Sequence, residues 1–281
     1  MLDGGAPADE ATLQVPVTDR GFLYGEAAFE VMVAEGSRVH ALGAHLERLA
    51  ASCAAIAVPD PRATVRDDLR QLLAASSNDA SGRHRLRVVV TAGEGGRLDG
   101  AGARPGHRLS SARPLHPYPA RLYADGAAVV LRLGHGSVVP GAKLASYAAN
   151  VAATRSARAE GAHEALLVDA DGTVREGATS NVFAVHGDVL RTPPLGAILP
   201  GITRGEVLAL AGELGLRASE APLDALRLRE ADELLLTSTV RGVMPVTRLD
   251  GERVGTGLPG PWTERLRAAW EAAWPGRLER P

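Results

Sequence analysis

The chain has 281 residues, 45 % hydrophobic and 23 % charged, ordinary proportions for a soluble globular protein of one large or two medium domains. A net charge of −2 argues against electrostatic capture by nucleic acid or by an anionic membrane. A single cysteine, Cys53, excludes a disulfide framework and a cysteine metal cluster, and no apolar run reaches the roughly 20 residues of a membrane span.

The first ten residues are acidic and turn-rich and lack the basic and apolar regions of a signal peptide, so the expected location is cytoplasmic. Residues 12–17 and 28–34 read as short strands on either side of a turn at Asp19-Arg20-Gly21. Leu42, Leu46, Leu49, Cys53 and Ile56 recur at three- and four-residue steps, which predicts an amphipathic helix, and a second helix is expected over 63–75. Residues 85–91 read as a strand. Residues 93–107, with six glycines and one proline, form a loop long enough to bind something.

The segment 114–120 carries three prolines and reads as a linker. After it come a strand at 127–133, a helix over 146–160, and a strand pair, 164–168 with 181–185, around the Asp171-Gly172 turn. A helix over 203–214 and a strand at 233–237 follow. The expected organisation is a small N-terminal α/β domain (1–113), a linker (114–126) and a larger C-terminal domain (127–281). Helices and strands mix without strict alternation, so the fold class is α+β.

Lys143 is the only lysine, against thirty arginines. Wherever a positive charge alone is needed this chain uses Arg, so the exception points to chemistry a guanidinium cannot do: a lysine amine can lose its proton and attack a carbonyl. Glu176 lies between two expected strands. Leu199-Pro200-Gly201-Ile202-Thr203-Arg204 is a turn opening a helix, which presents free N–H groups to an anion. Thr237-Ser238-Thr239 ends a buried strand with further donors. Each piece alone has a plainer reading: a solvated Glu, a helix cap, a strand end. Together, a lysine, a carboxylate and two phosphate-donor turns are what pyridoxal 5′-phosphate (PLP) requires.

These residues, with Asp19-Arg20-Gly21, Tyr24-Gly25, Phe29-Glu30, His45-Leu46-Glu47-Arg48-Leu49, Asn150, Glu164-Ala165-Leu166-Leu167, Ser180-Asn181-Val182-Phe183 and Met244-Pro245-Val246, resemble the class IV aminotransferases, or fold-type IV PLP enzymes, from about Asp19 to Arg267. The resemblance implies a two-domain D-amino-acid aminotransferase-like fold and a homodimer or higher homo-oligomer acting on small amino and oxo acids. By position, Lys143 would be the Schiff-base lysine and proton shuttle, and Glu176 the partner of the pyridine nitrogen. Arg48, Ile202, Thr203, Ser238 and Thr239 would hold the phosphate. Leu199 would pack on the ring and Tyr147 bond its phenolic oxygen. Tyr24, Phe29, Arg97, Val240 and Arg241 would face the substrate, and no metal is implied.

Within the family, Arg97 in the glycine-rich loop resembles the carboxylate-binding arginine of D-amino-acid aminotransferases and deoxychorismate lyases. Phe29 and Asp99 stand where the D-amino-acid enzymes usually have Tyr and His. The expectation is a transaminase for D-amino acids first and branched-chain L-amino acids second. The alternatives are 4-amino-4-deoxychorismate lyase, releasing 4-aminobenzoate and pyruvate, and, remotely, a non-catalytic PLP-binding protein.

Overall fold

The computed structural model describes residues 5–76, 82–134, 137 and 139–281, so the first four residues of the turn-rich start lie outside it. The chain forms two compact units. One holds the chain up to His116 together with Ala142–Tyr147 and Pro275–Pro281; the other holds Pro117–Gly141 and Ala148–Trp274. Two segments thus cross the serial boundaries read from the sequence. Each is drawn into the first unit by backbone pairing: Leu144 bridges Ala28, and Leu278 and Glu279 pair with His40 and Val39.

In the first unit, α1 (Arg20–Tyr24) leads into β1 (Ala27–Glu35) and β2 (Arg38–His40), followed by α2 (Leu42–Ala54), α3 (Arg62–Ala75), β3 (Arg83–Thr91) and β4 (Arg108–Pro114). The five-stranded sheet runs Leu278–Glu279, β2, β1, β3, β4, all antiparallel. The expected periodicity of α2 is realised: Leu42, Leu46, Leu49 and Cys53 are buried, and the helix packs on β1. On β3 the alternation is strict. Leu86, Val88 and Val90 are buried, while the arginines at 83, 85 and 87 are on the other side of the strand. The expected strand at 12–17 is absent; Glu10–Thr12 is a 3₁₀ turn and the chain then runs irregularly through Pro16, which has no N–H to give a ladder.

The second unit contains α4 (Arg121–Ala124), β5 (Ala127–Leu133), α5 (Ala148–Ala159), β6 (Glu164–Val168), β7 (Thr173–Gly177), β8 (Asn181–His186), β9 (Val189–Thr192) and α6 (Ile202–Glu213). After these come β10 (Arg217–Glu220), β11 (Leu223–Asp224), α7 (Ala225–Arg229), β12 (Glu233–Ser238), β13 (Gly242–Leu249) and α8 (Pro261–Ala273). Its sheet runs β10, β9, β8, β12, β13, β5, β6, β7, β11. The turn at Asp171-Gly172 joins β6 to β7, not to β8; β8 pairs instead with β9 and β12. A core of Leu166, Val174, Val182, Leu234, Leu236, Met244 and Val246 fills one side of this sheet. No helix among the described residues is long and apolar enough to cross a membrane.

Candidate active site

In the first unit, Lys143 follows the Pro140-Gly141 turn and is fixed by its backbone. Its C=O accepts from Phe29 N at 2.9 Å, its N–H donates to Ser52 Oγ at 2.9 Å, and Ala145 N donates to Ala27 O at 2.7 Å. Its Nζ lies 4.6 Å from the centroid of the Phe29 ring, and Tyr147 meets that ring edge-on at 5.5 Å. Arg87, on β3, also lies 4.6 Å from the Phe29 centroid. Among the described residues no carboxylate pairs with Arg87, and burial together with the neighbouring Arg85 charge lowers its pKa.

Arg48 is committed to Glu30 by a two-point contact, Nε to Oε1 at 2.7 Å and Nη2 to Oε2 at 2.9 Å, and His45 Nδ1 meets Glu30 Oε2 at 2.8 Å. Burial alone would raise the Glu30 pKa, but the adjacent Arg48 charge and hydrogen bonds hold the carboxyl well below the usual range. His45, fully enclosed and beside the Arg48 charge, is held neutral, so Arg48 is the cation that keeps Glu30 ionised. The same helix, α2, carries both His45 and Arg48. Burial pushes the Cys53 thiol up to about 12, which removes it as a nucleophile.

Tyr24 is half exposed under the guanidinium of Arg20. Arg20 itself is buried and donates to the carbonyls of Arg97 at 2.6 Å and Leu98 at 2.8 Å, pinning the glycine-rich loop. The Arg97 side chain, 79 % exposed, meets only Asp99 at 3.4 Å among the described residues.

In the second unit, Glu176 is the penultimate residue of β7, and its Oε2 accepts from Asn181 Nδ2 at 3.2 Å and from Leu199 N at 3.1 Å. Asn181 Nδ2 also donates to Leu199 O at 3.0 Å, so Glu176, Asn181 and Leu199 form one cluster. Gly201 then starts α6 with no side-chain cap; a Cβ there would collide with Asn181 Oδ1. Thr203 Oγ1, in the first turn, and Thr237 Oγ1, at the end of β12, are buried without a hydrogen-bond partner. Orphaned hydroxyls and an uncapped helix start suit a phosphate, and the buried carboxylate of Glu176 suits a protonated ring nitrogen. Ser238 ends β12, and Thr239 and Val240 lie in the turn to β13.

Arg241 is placed differently from a solvent-facing substrate contact. Its guanidinium is buried and Nη2 donates to Glu164 Oε2 at 2.9 Å and Thr179 Oγ1 at 3.1 Å, with the Tyr118 ring at 5.2 Å. Burial would lower its pKa, but Glu164 and Tyr118 outweigh that and raise it. The loop just after Glu176 is held by this pair, since Thr179 N donates to Glu164 Oε1 at 2.6 Å.

Arg87, Ser52, Asn181 and Arg20 carry parts of this geometry that sequence reasoning gave no role. For Arg87 a signal existed: an arginine on the alternating strand β3, opposite its apolar face. Ser52 carries no local signal, because its partner Lys143 is 91 residues away.

The family model of class IV amino-transferases matches residues 27–249. A provisionally named branched-chain-amino-acid aminotransferase of Methanocaldococcus jannaschii is 34 % identical over 271 residues, covering 94 % of this chain and 92 % of its own. The D-alanine aminotransferase of Bacillus licheniformis is 31 % identical over 274 residues, covering 96 % and 95 %. The crystal structure of the Escherichia coli branched-chain amino acid aminotransferase superposes with TM-score 0.86 at 26 % identity, covering 99 % and 97 %. The chain belongs to the class IV aminotransferase family. It is an enzyme of the fold-type IV architecture, a PLP-dependent transaminase acting on amino and oxo acids.

Proposed function

We propose that the donor is an α-amino acid whose carboxylate is read by arginine, with D-amino acids first and branched-chain L-amino acids second. The observation that carries the amino-acid reading is Arg87, a half-buried guanidinium with no carboxylate partner among the described residues, set on the same Phe29 ring as the Lys143 amine. A substrate carboxylate supplies the missing counter-charge while its amine lies at Lys143. The D-first order rests on Arg97, at the loop position singled out by the likeness to D-amino-acid enzymes and pinned there by Arg20. The branched-chain reading rests on the M. jannaschii and E. coli likenesses.

PLP, when bound, supplies the electron sink that acidifies the substrate Cα–H. In this reading the Lys143 amine accepts that proton and returns it. Glu176, oriented by Asn181 and the Leu199 N–H, keeps a proton on the ring nitrogen. Ile202, Thr203, Ser238, Thr239 and Arg48 would hold the PLP phosphate. Leu199 would pack on the ring and Tyr147 would bond its phenolic oxygen. Tyr24, Phe29, Val240 and the backbone of Arg241 line the substrate's path.

A homodimer is part of this proposal. Val17, Phe22, Leu23, Tyr24 and Leu98 are exposed around α1 and the glycine-rich loop, apolar surface that a partner subunit would cover. Light scattering should give at least a dimer.

The deciding experiment adds D-alanine, L-leucine, (R)-1-phenylethylamine and aminodeoxychorismate separately to the PLP-loaded enzyme and follows loss of the visible absorbance. D-alanine should react fastest and the amine slowest. Pyruvate release from aminodeoxychorismate without an oxo-acid acceptor, with both amino acids inert, would overturn the reading in favour of the lyase.

A further inference from the structure

Lys143 sits outside any helix or ladder interior, so its peptide N–H has no partner from regular structure. It finds one on α2: Ser52 Oγ accepts it at 2.9 Å. The same hydroxyl donates to the Arg48 carbonyl one helical turn back, also at 2.9 Å. Ser52 is fully buried, and both bonds lie within the first unit. From the other side Phe29 N holds the Lys143 carbonyl at 2.9 Å, so the lysine's backbone is clamped between β1 and α2. α2 also carries His45 and Arg48, and Glu30 on β1 locks that pair. One hydroxyl therefore ties the register of Lys143 to the helix that presents Arg48.

We propose that Ser52 is a positioning residue for Lys143, setting where the lysine amine starts relative to the Arg48 helix. Its hydroxyl is engaged by the Lys143 N–H and the Arg48 carbonyl. Its hydroxyl does two things that no apolar residue of the same size can: it satisfies a buried N–H, and it passes the position of the Arg48 turn to the lysine backbone. Loss of the hydroxyl leaves that N–H unmet. The lysine segment then relaxes, and its amine samples positions away from the carbonyl it must attack. Misplacement of a reacting group by an ångström is enough to cost one to two orders of magnitude in rate. The inference rests on the reading of Lys143 as the residue that joins PLP.

The test compares wild type, Ser52→Ala, Ser52→Thr and Ser52→Cys as apoproteins reloaded with saturating PLP. Three quantities are read: the affinity for PLP in its first, reversible complex, the rate at which the Lys143 amine condenses with the PLP aldehyde with loss of water, and the melting temperature. The condensation is followed by visible absorbance and by borohydride trapping of the Lys143 peptide. Ser52→Ala should slow condensation roughly tenfold or more, with the reversible affinity within about threefold of wild type on the same scale. Thr, which keeps the hydroxyl, should restore the rate, and Cys, a weaker acceptor of similar size, should fall between. If Ser52→Ala does not fold, the Cys and Thr variants decide. A lowered melting temperature with an unchanged condensation rate makes Ser52 merely structural and overturns the proposal. Wild-type protein that never joins PLP at Lys143 defeats the underlying reading instead, so the two failures are distinct.

Discussion

Glu30 and Arg48 meet through two parallel hydrogen bonds inside the first unit, with Glu30 fully enclosed and the Arg48 side chain only 8 % exposed. A buried pair of this kind is costly to break one partner at a time, because the other charge is left uncompensated. Glu30→Gln should lower unfolding stability by about 3 kcal/mol near neutral pH. The sign of the pH dependence follows from the depressed folded-state pKa. The carboxylate's contribution is complete above the unfolded value of about 4.3 and is lost as pH falls towards the folded one. The stability gap between wild type and Glu30→Gln in urea titrations should therefore shrink from roughly pH 5 to pH 3. A gap that stays constant over that range would mean that the ionised pair is not what stabilises this helix.

Arg87 and Arg97 make opposite predictions. A half-buried arginine with no carboxylate partner among the described residues gains much from a substrate carboxylate, whereas an arginine 79 % exposed gains little. Arg87→Leu, which keeps the packing on Phe29, should raise KM for amino acids by an amount equivalent to about 2–3 kcal/mol. Arg97→Ala should cost about 1 kcal/mol, and only with D-amino acids. (R)-1-Phenylethylamine, which has no carboxylate, should be indifferent to either. A larger penalty at Arg97, confined to D-amino acids, would show that the loop closes on the substrate and that Arg97 is the reader.

Much of this arrangement is legible in the sequence, and the rest is not for identifiable reasons. The heptad-like spacing of Leu42, Leu46, Leu49 and Cys53 reports α2 because the helix is amphipathic and packs one face on β1. The lone Lys143 stands out by chemistry alone. Strand β7 escapes because Thr-Val-Arg-Glu-Gly is short and polar, and its pairing with β6 is a fact of the sheet rather than of the segment. Strand β13 escapes because Pro245 sits inside it, where a proline ordinarily argues against a strand; it faces Leu235 in the register. Arg241 shows the limit for single residues. No local signal foretells its buried pairing with Glu164, which lies 77 residues away.

Glu176 separates binding from chemistry. Its Oε2 takes hydrogen bonds from Asn181 and the Leu199 N–H, and the oxygen of a glutamine can take the same two. Glu176→Gln should therefore fold and bind PLP nearly as tightly as wild type, yet lose the negative charge that keeps a proton on the ring nitrogen. The expected result is a fall in kcat of about two orders of magnitude or more, with the dissociation constant of PLP changed only a few-fold. Parallel, small changes in both quantities would place the proton partner elsewhere.

Gly201 tests whether the two halves of the second unit's cluster act together. Its backbone lies so close to Asn181 that any β-carbon would strike the Asn181 carbonyl oxygen, and Asn181 is the group that orients both Glu176 and Leu199. Gly201→Ala should push Asn181 aside, weaken PLP binding at the start of α6, and destabilise the protein by about 2 kcal/mol as an overpacked site. Shortening the obstructing side chain should relieve the clash. In the double variant Gly201→Ala/Asn181→Ala, the stability loss should be smaller than the sum of the single losses, because the two positions are in contact. A lower kcat is expected in Asn181→Ala and in the double variant, since Glu176 lacks its amide donor in both. Strict additivity in stability, measured by chemical denaturation of the four proteins in the cycle, would show that the glycine is tolerated for reasons unconnected with Asn181.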